Sequence, residues 1–502
     1  MDDPSFLSAT RLAGMTRRRE IGCLELLDHH IARVERLDGP INAVVCRDFD
    51  RARARAKALD QRTDRSVPLF GVPMTVKDAF DVAGLPTTRG HLAAKDHKAR
   101  VSSIAIRRLE AAGAVIFGKT NVPVDNADWQ SYNPVYGTTC NPWNLDHTPG
   151  GSSGGSAAAL AAGFSALELG SDIGGSIRVP AHYCGVFGHK PTWTLVPNYG
   201  DYETSPAATT DIAVGGPMAR SADDLALALD ILADPDPEEM GLTYNLPRPR
   251  VTSLKALRVA VWAYEPGQAT DTETVAAIEA LASDLERQGC TVSRTARPAF
   301  NATDAFHIYL QCLDAGWSAR ATEAILTAKR RRLAGLDPKD MTADAVMARA
   351  TDMPHRDWLT LNERRMKFRR LWSAFFRDWD VLLCPTIATA ALPHMQEGET
   401  IAAGDRTNGA QSYIRTGPVW ERVAAVNGRL VPYNDMLFWP GLTAGFHLPA
   451  TVMPMGFTQD GLPLGVQIAG PIYGDRMTIM AASLIEQAGY TFKAPPGLAP
   501  GS

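Results

Sequence analysis

A chain of 502 residues, 45% of them hydrophobic, carries enough apolar material for an extensive core in one large domain or two modest ones, which excludes disorder as a description of the whole. Its 51 Lys and Arg against 55 Asp and Glu leave a formal charge of -4, so no global field marks it as a partner of nucleic acid or of an acidic membrane. Seven scattered cysteines without a CxxC pair, an acidic start in place of a signal segment, and no apolar run of about 18 residues give the expectation of a cytoplasmic protein with no membrane span.

In chain order, Ile21, Leu24, Leu27, Ile31, Val34 and Leu37 recur at three- and four-residue intervals and predict an amphipathic helix, ended by Gly39-Pro40. An Arg- and Ala-rich helix follows to Gln61, and Leu69 to Lys77 carries the first buried-strand pattern. Ser102 to Ala112 reads as helix and Ala114 to Phe117 as strand. Between Asn133 and Gly155 the composition predicts a long ordered loop, then a helix over Ser156 to Ala162, a short strand at Leu167 to Leu169, and a glycine-rich turn from Gly170 to Arg178. Further strands are expected at Leu257 to Trp262, Val381 to Cys384, Ala450 to Pro454 and Leu464 to Ile468.

Helix followed repeatedly by strand predicts an α/β fold: a mixed, largely parallel twisted β-sheet covered by α-helices on both faces. Residues 1–65 are expected to be an N-terminal helical segment packed on the core, and 66–502 a single catalytic domain with a variable, mostly helical region over 300–420. There, Trp372, Phe375, Phe376 and Trp379 read as core packing, and the basic knot Lys329 to Arg332 as a solvated helix face.

Three stretches carry the chemistry: Gly71 to Asp78, with Lys77 at the end of an apolar strand; Pro149 to Ser156; and Gly170 to Arg178. Singly, each has a bland reading, an ion-paired lysine or a Gly-Ser turn. Together, glycine-rich turns can aim several backbone N–H groups at one point, which suits an oxygen that becomes negative during acyl transfer. A phosphate cradle would use the same feature, but neither GxxxxGK[ST] nor GxGxxG is present.

The block from Gly150 to Thr192, above all Gly151-Ser152-Ser153-Gly154-Gly155 and Asp172-Ile173-Gly174-Gly175-Ser176-Ile177-Arg178, resembles the amidase signature family. Val76-Lys77-Asp78, Gly118-Lys119-Thr120-Asn121, Leu383-Cys384-Pro385-Thr386 and Gly465-Val466-Gln467 extend the likeness over most of the chain. The resemblance implies Ser176 as nucleophile, Ser152 as bridging serine beside an unusual cis peptide, and Lys77 as base. It further implies that Ser153 helps hold the lysine, and that the amides of Ile173, Gly174, Gly175 and Ser176 form an oxyanion hole. Asp172 and Arg178 would support that loop. Departures lie at His189, where a hydrophobic residue is more usual, and at Val124, where glutamate is common and Asp125 is the nearest acid.

A lysine with its ordinary pKa of about 10.4 is charged near neutrality and useless as a base, so this reading requires a buried, neutral Lys77. The implied reaction is hydrolysis of a small carboxylic or aryl amide to acid plus ammonia or amine, through an acyl-enzyme. The alternatives are carbamate, acyl-hydrazide or short oligoamide hydrolysis, release of ammonia from glutamine within a larger assembly, and an inactive metabolite-binding homologue. A Gly-x-Ser-x-Gly elbow and an HExxH helix are absent, His447 reads as structural, and Cys184 has no assigned base. The expectation is no metal, no cofactor, a small-molecule amide and water as reactants, and a homodimer as the family-level assembly. Tyr132, Asn133, Trp193, Trp439 and residues of the 300–445 region are candidate pocket walls.

Overall fold

The computed structural model describes residues 3–197, 210–239, 241–319, 321–395 and 422–499. The first amphipathic pattern forms helix Cys23–Leu37, burying Leu27, Ile31 and Val34. The Asp60 carboxylate accepts the Cys23 and Leu24 amides at 2.7 and 3.1 Å, satisfying donors that a first helical turn leaves without partners.

The strands in chain order begin with β1 (Val44–Arg47), β2 (Pro73–Lys77), β3 (Val115–Thr120), β4 (Tyr132–Asn133) and β5 (Gly137–Thr138). Next come β6 (Glu168–Asp172), β7 (Phe187–Lys190), β8 (Val214–Ala219), β9 (Arg258–Val261) and β10 (Thr291–Ser293). The last are β11 (Val381–Pro385), β12 (Val423–Val426), β13 (Arg429–Pro432), β14 (Ala450–Phe457) and β15 (Pro463–Ala469). Eight form one sheet, ordered β10-β9-β11-β15-β14-β7-β8-β6, and β1-β3-β2 form a second.

The large sheet is mixed, as expected, but not largely parallel. Only β10–β9 and β9–β11 run parallel; the other five neighbouring pairs are antiparallel. Two features reverse the direction. β14 and β15 are consecutive strands closed by a turn in which Thr458 N–H donates to Leu462 O at 2.8 Å, and β8 lies between β6 and β7, running against both. An apolar strand's own residues do not state which way its neighbour runs.

Alternation along the central strands shows why helices cover both faces. Val259 and Val261 of β9, with Val381 and Leu383 of β11, pack with Leu225, Ile278 and Met477 from helices Ala222–Leu232, Thr272–Arg287 and Asp475–Gln487. Ala260, Leu382 and Cys384 point into the opposite layer with Tyr309, Trp372 and Trp439. Trp372 and Phe376 are buried and stacked at 5.6 Å, as the core reading expected.

The segment expected to be helical over 1–65 also contributes β1, paired antiparallel with β3. Within the 300–420 region, helices Ala302–Ser318, Glu323–Ala334, Ala343–Ala348 and His355–Asp378 precede β11, while residues 320 and 396–421 lie outside the described residues. No described helix is long and apolar enough to cross a membrane. The Thr75 hydroxyl of β2 donates to Glu168 of the edge strand β6, and the Thr75 amide donates to Ser165 Oγ, just ahead of that strand, at 3.0 Å. That junction sets the end of β2, where Lys77 stands, beside the end of β6, where the Asp172 to Arg178 turn begins.

Candidate active site

Lys77 is fully buried, its Nζ 2.6 Å from Ser152 Oγ, 2.9 Å from Ser171 Oγ and 3.5 Å from Ser171 O. Burial pushes its pKa down to about 7; Asp172 opposes that shift and the Arg89 charge adds to it. Among the described residues no carboxylate lies within ion-pair distance of the amine, and its contacts are the Ser152 and Ser171 oxygens.

Ser152 follows a cis Gly151-Ser152 peptide bond, the feature implied by the resemblance. Glycine is required at 151 on space alone, because a Cβ there would stand 2.4 Å from Asp128 O and 2.7 Å from Gln130 N. The Ser153 amide donates to Ser176 O at 3.1 Å, joining the two glycine-rich segments. Its hydroxyl lies 3.3 Å from both Ser171 N and Ser171 O. Ser153 therefore supports the lysine at one remove, and Ser171, absent from the expected set, makes the direct contact. Its place in strand β6 beside Asp172 was the available signal.

Ser176 occupies the turn between β6 and helix Arg178–Cys184. It lines one cavity with Ser152, without a hydrogen bond between the two hydroxyls; such contacts commonly tighten only when substrate is bound. Asp172 organises the turn, accepting from Gly175 N at 2.8 Å and Ile177 N at 3.0 Å. Arg178 grips the same carboxylate through Nε at 3.0 Å and Nη2 at 2.8 Å. Burial alone would raise the Asp172 pKa; the Arg178 charge and these hydrogen bonds outweigh it and hold it at about 2. Arg178 also donates to Pro440 O at 2.9 Å and Thr443 Oγ1 at 2.7 Å, anchoring the turn to helix Phe438–Ala444.

This arrangement corrects one member of the expected oxyanion hole. The Gly175 amide faces inward to Asp172 and is not available to a substrate oxygen. The amides of Ile173, Gly174 and Ser176 make no hydrogen bond among the described residues. Their peptides are held from behind: Trp129 Nε1–H donates to Gly174 O at 2.9 Å and the Tyr309 hydroxyl to Ile173 O at 3.4 Å.

The cavity measures about 550 Å³. None of the four named wall candidates lines it. The Tyr132 hydroxyl accepts from Arg422 at 2.8 Å, and Asn133 is occupied by Asn121, Val122, Val135 and Tyr136. Trp193 stacks on His447 at 4.5 Å, and Trp439 is buried with its indole N–H on Thr270. Aromatic and amide side chains near a site are equally good at packing it. The wall comes instead from the 300–445 region: Trp317, Ile325, Lys329, Arg332 and Met347.

The basic knot is corrected in part: Arg330 and Arg331 are exposed as expected, but Lys329 Nζ lies 2.5 Å from the buried Asp314 and is only 15% exposed, and Lys329 and Arg332 line the cavity. His189, the departing signature position, bridges Thr451 at 2.9 Å and Asp475 at 3.1 Å in the core. No group of three or more His, Cys, Asp or Glu among the described residues is placed to hold a metal ion.

Comparison with known proteins gives the family. The family model described as Amidase matches residues 25–479. A Mycobacterium tuberculosis protein provisionally named amidase AmiB2 is 35% identical over 494 residues, covering 97% of both chains. A glutamyl-tRNA(Gln) amidotransferase chain of Cyanothece is 30% identical, covering 94% of this chain and 95% of its own. A bacterial aryl acylamidase of the amidase signature enzymes superposes with a TM-score of 0.77 at 25% identity, covering 96% of each chain. A family model over residues 25–479 and relatives matched along nearly the whole length show that the chain belongs to the amidase signature family.

Proposed function

We propose that this protein is an amidohydrolase that cleaves the C–N bond of a small carboxylic or aryl amide, with Ser176 as nucleophile, Ser152 as proton bridge and Lys77 as base. One observation carries the reading: a fully buried lysine amine, with its pKa lowered to about 7, lies 2.6 Å from a serine hydroxyl that shares a cavity with a second serine. A serine hydroxyl is a weak nucleophile until its proton is removed, and an uncharged amine can take it.

In this scheme Ser176 attacks the carbonyl as its proton passes to Ser152 and the Ser152 proton to Lys77. The oxyanion meets the amides of Ile173, Gly174 and Ser176, a kind of contact worth about 2.7–4 kcal/mol per donor in hydrolases. The lysine then returns the proton through Ser152 to the leaving nitrogen, and an ester remains on Ser176. Water repeats the attack, and the acid leaves. Trp317, Ile325 and Met347 favour an apolar or aryl body, in keeping with the likeness to an aryl acylamidase. Residues 66–502 act as one catalytic unit with 1–65 packed on it, and seven free cysteines fit the cytoplasm.

Hydrolysis of a panel of alkyl and aryl amides, followed by mass analysis of the acid, tests the proposal. Turnover is expected from the parent and absent from Ser176→Ala. Equal turnover by a folded Ser176→Ala sinks it.

A further inference from the structure

Among the described residues, charged side chains on the cavity wall are paired, with one exception. Lys329 lies 2.5 Å from Asp314, Arg332 3.1 Å from Asp344 and His91 2.5 Å from Asp125, while Asp172 is held by Arg178. Arg89 lines the same cavity as Ser152 and Ser176, and its guanidinium has no hydrogen-bond or ion-pair partner among the described residues. Its backbone is nevertheless pinned. The Arg89 amide donates to Asp78 O at 3.2 Å, and its carbonyl accepts from Asp125 N at 3.0 Å. With φ at 47°, it holds a conformation that residues with a Cβ adopt uncommonly. Asn126, on the same wall, keeps its Oδ1 shielded from solvent and without a partner.

A guanidinium offers five N–H donors in a planar fork that matches a carboxylate, and an unpartnered amide oxygen accepts an N–H. A cavity otherwise neutral by internal pairing, with Trp317, Ile325 and Met347 beside these two groups, fits a ligand with an apolar body, an N–H and an anionic oxygen pair. We propose that Arg89 is a specificity-determining residue that binds a carboxylate on the substrate, so that the protein acts on acidic amides. The inference rests on Ser176 as the reacting centre. Arg89 and Ser176 line the same cavity.

The test compares p-nitroanilides of succinic, glutaric and adipic acids with isosteres in which a terminal isopropyl group replaces the carboxylate. In the parent, the best carboxylated compound is expected to exceed its isostere in kcat/KM by at least about tenfold. Arg89→Met lowers that ratio by at least about tenfold, and Arg89→Lys, which keeps the charge without the fork, restores part of it. A parent that prefers the isosteres at all three lengths, or a ratio unmoved in Arg89→Met, overturns the proposal.

Calorimetric titration of glutarate into Ser176→Ala, with and without Arg89→Met, reads the same contact without turnover. Binding at least about tenfold weaker in the double variant is expected. Equal affinity overturns the assignment of Arg89. Hydrolysis persisting in Ser176→Ala contradicts the nucleophile alone and does not alter what the binding comparison says of Arg89.

Discussion

Replacing Asp172 by Asn keeps the side chain's shape and removes its charge, which tests whether this buried carboxylate is the keystone of the active-site turn. Arg178 then stays fully buried, with its carbonyl and hydroxyl partners but without a counter-ion. Breaking a buried pair on one side costs about 3–5 kcal/mol, and the surviving Arg178 contacts argue for the lower end. A second figure follows from the lowered pKa. The Asp172 pKa is held down at about 2 against an ordinary 3.8, a difference worth roughly 2 kcal/mol.

The sign follows from the depression. Above about pH 4 the unfolded carboxylate is already ionised and the full stabilisation is present; it fades as pH falls through about 2. Urea unfolding of parent and Asp172→Asn from pH 7 to pH 3 is therefore expected to show a gap of about 3 kcal/mol that is constant at first and narrows below about pH 4. A gap under about 1 kcal/mol at pH 7, or one that does not narrow, refutes the reasoning.

Acylation measured under single-turnover conditions should rise with pH through about 7 and then level off, since burial places the Lys77 transition there and only its neutral form accepts a proton. A flat profile from pH 5.5 to 9 contradicts it. Because the Asp172 charge favours the ammonium form, Asp172→Asn should move the same limb to lower pH if its fold survives. Trp129→Phe removes the donor behind Gly174 O and should lower kcat about tenfold, with KM changed less than about twofold; the reverse split would make Trp129 a binding residue. Lys329→Met strands the buried Asp314 carboxylate and should destabilise the fold by about 3 kcal/mol in urea melts, whereas a solvated lysine would change it by less than about 0.5 kcal/mol.

Local patterns were legible where burial has a period. The helix read over Ser156 to Ala162 forms as Gly154–Ala161, and the strand read at Leu167 to Leu169 forms as β6, running on to Asp172. The resemblance to the amidase signature family implied Lys77, Ser152 and Ser176 and the cis peptide, and the structure brings the lysine to Ser152 across 75 residues. Whatever depends on direction or long-range neighbours was not legible. The Gly175 amide turns inward because a carboxylate three residues earlier takes it, which a run of glycines does not announce. Lys329 looked solvated because its partner Asp314 sits on another helix. Tyr132, Asn133, Trp193 and Trp439 had the right chemistry for a wall but already serve as packing or hydrogen-bonded scaffold.

The most direct test of the account is the titration of the Lys77 amine itself, followed by NMR of side-chain-labelled lysines in the ligand-free protein. Burial lowers Lys190 to about 7 as well, so the signal is assigned by its loss in Lys77→Met. A Lys77 resonance that changes protonation state near pH 7, in step with the acylation limb, is expected. A Lys77 ammonium that stays protonated past about pH 10, as an ordinary lysine does, while turnover remains fast at neutral pH, contradicts it.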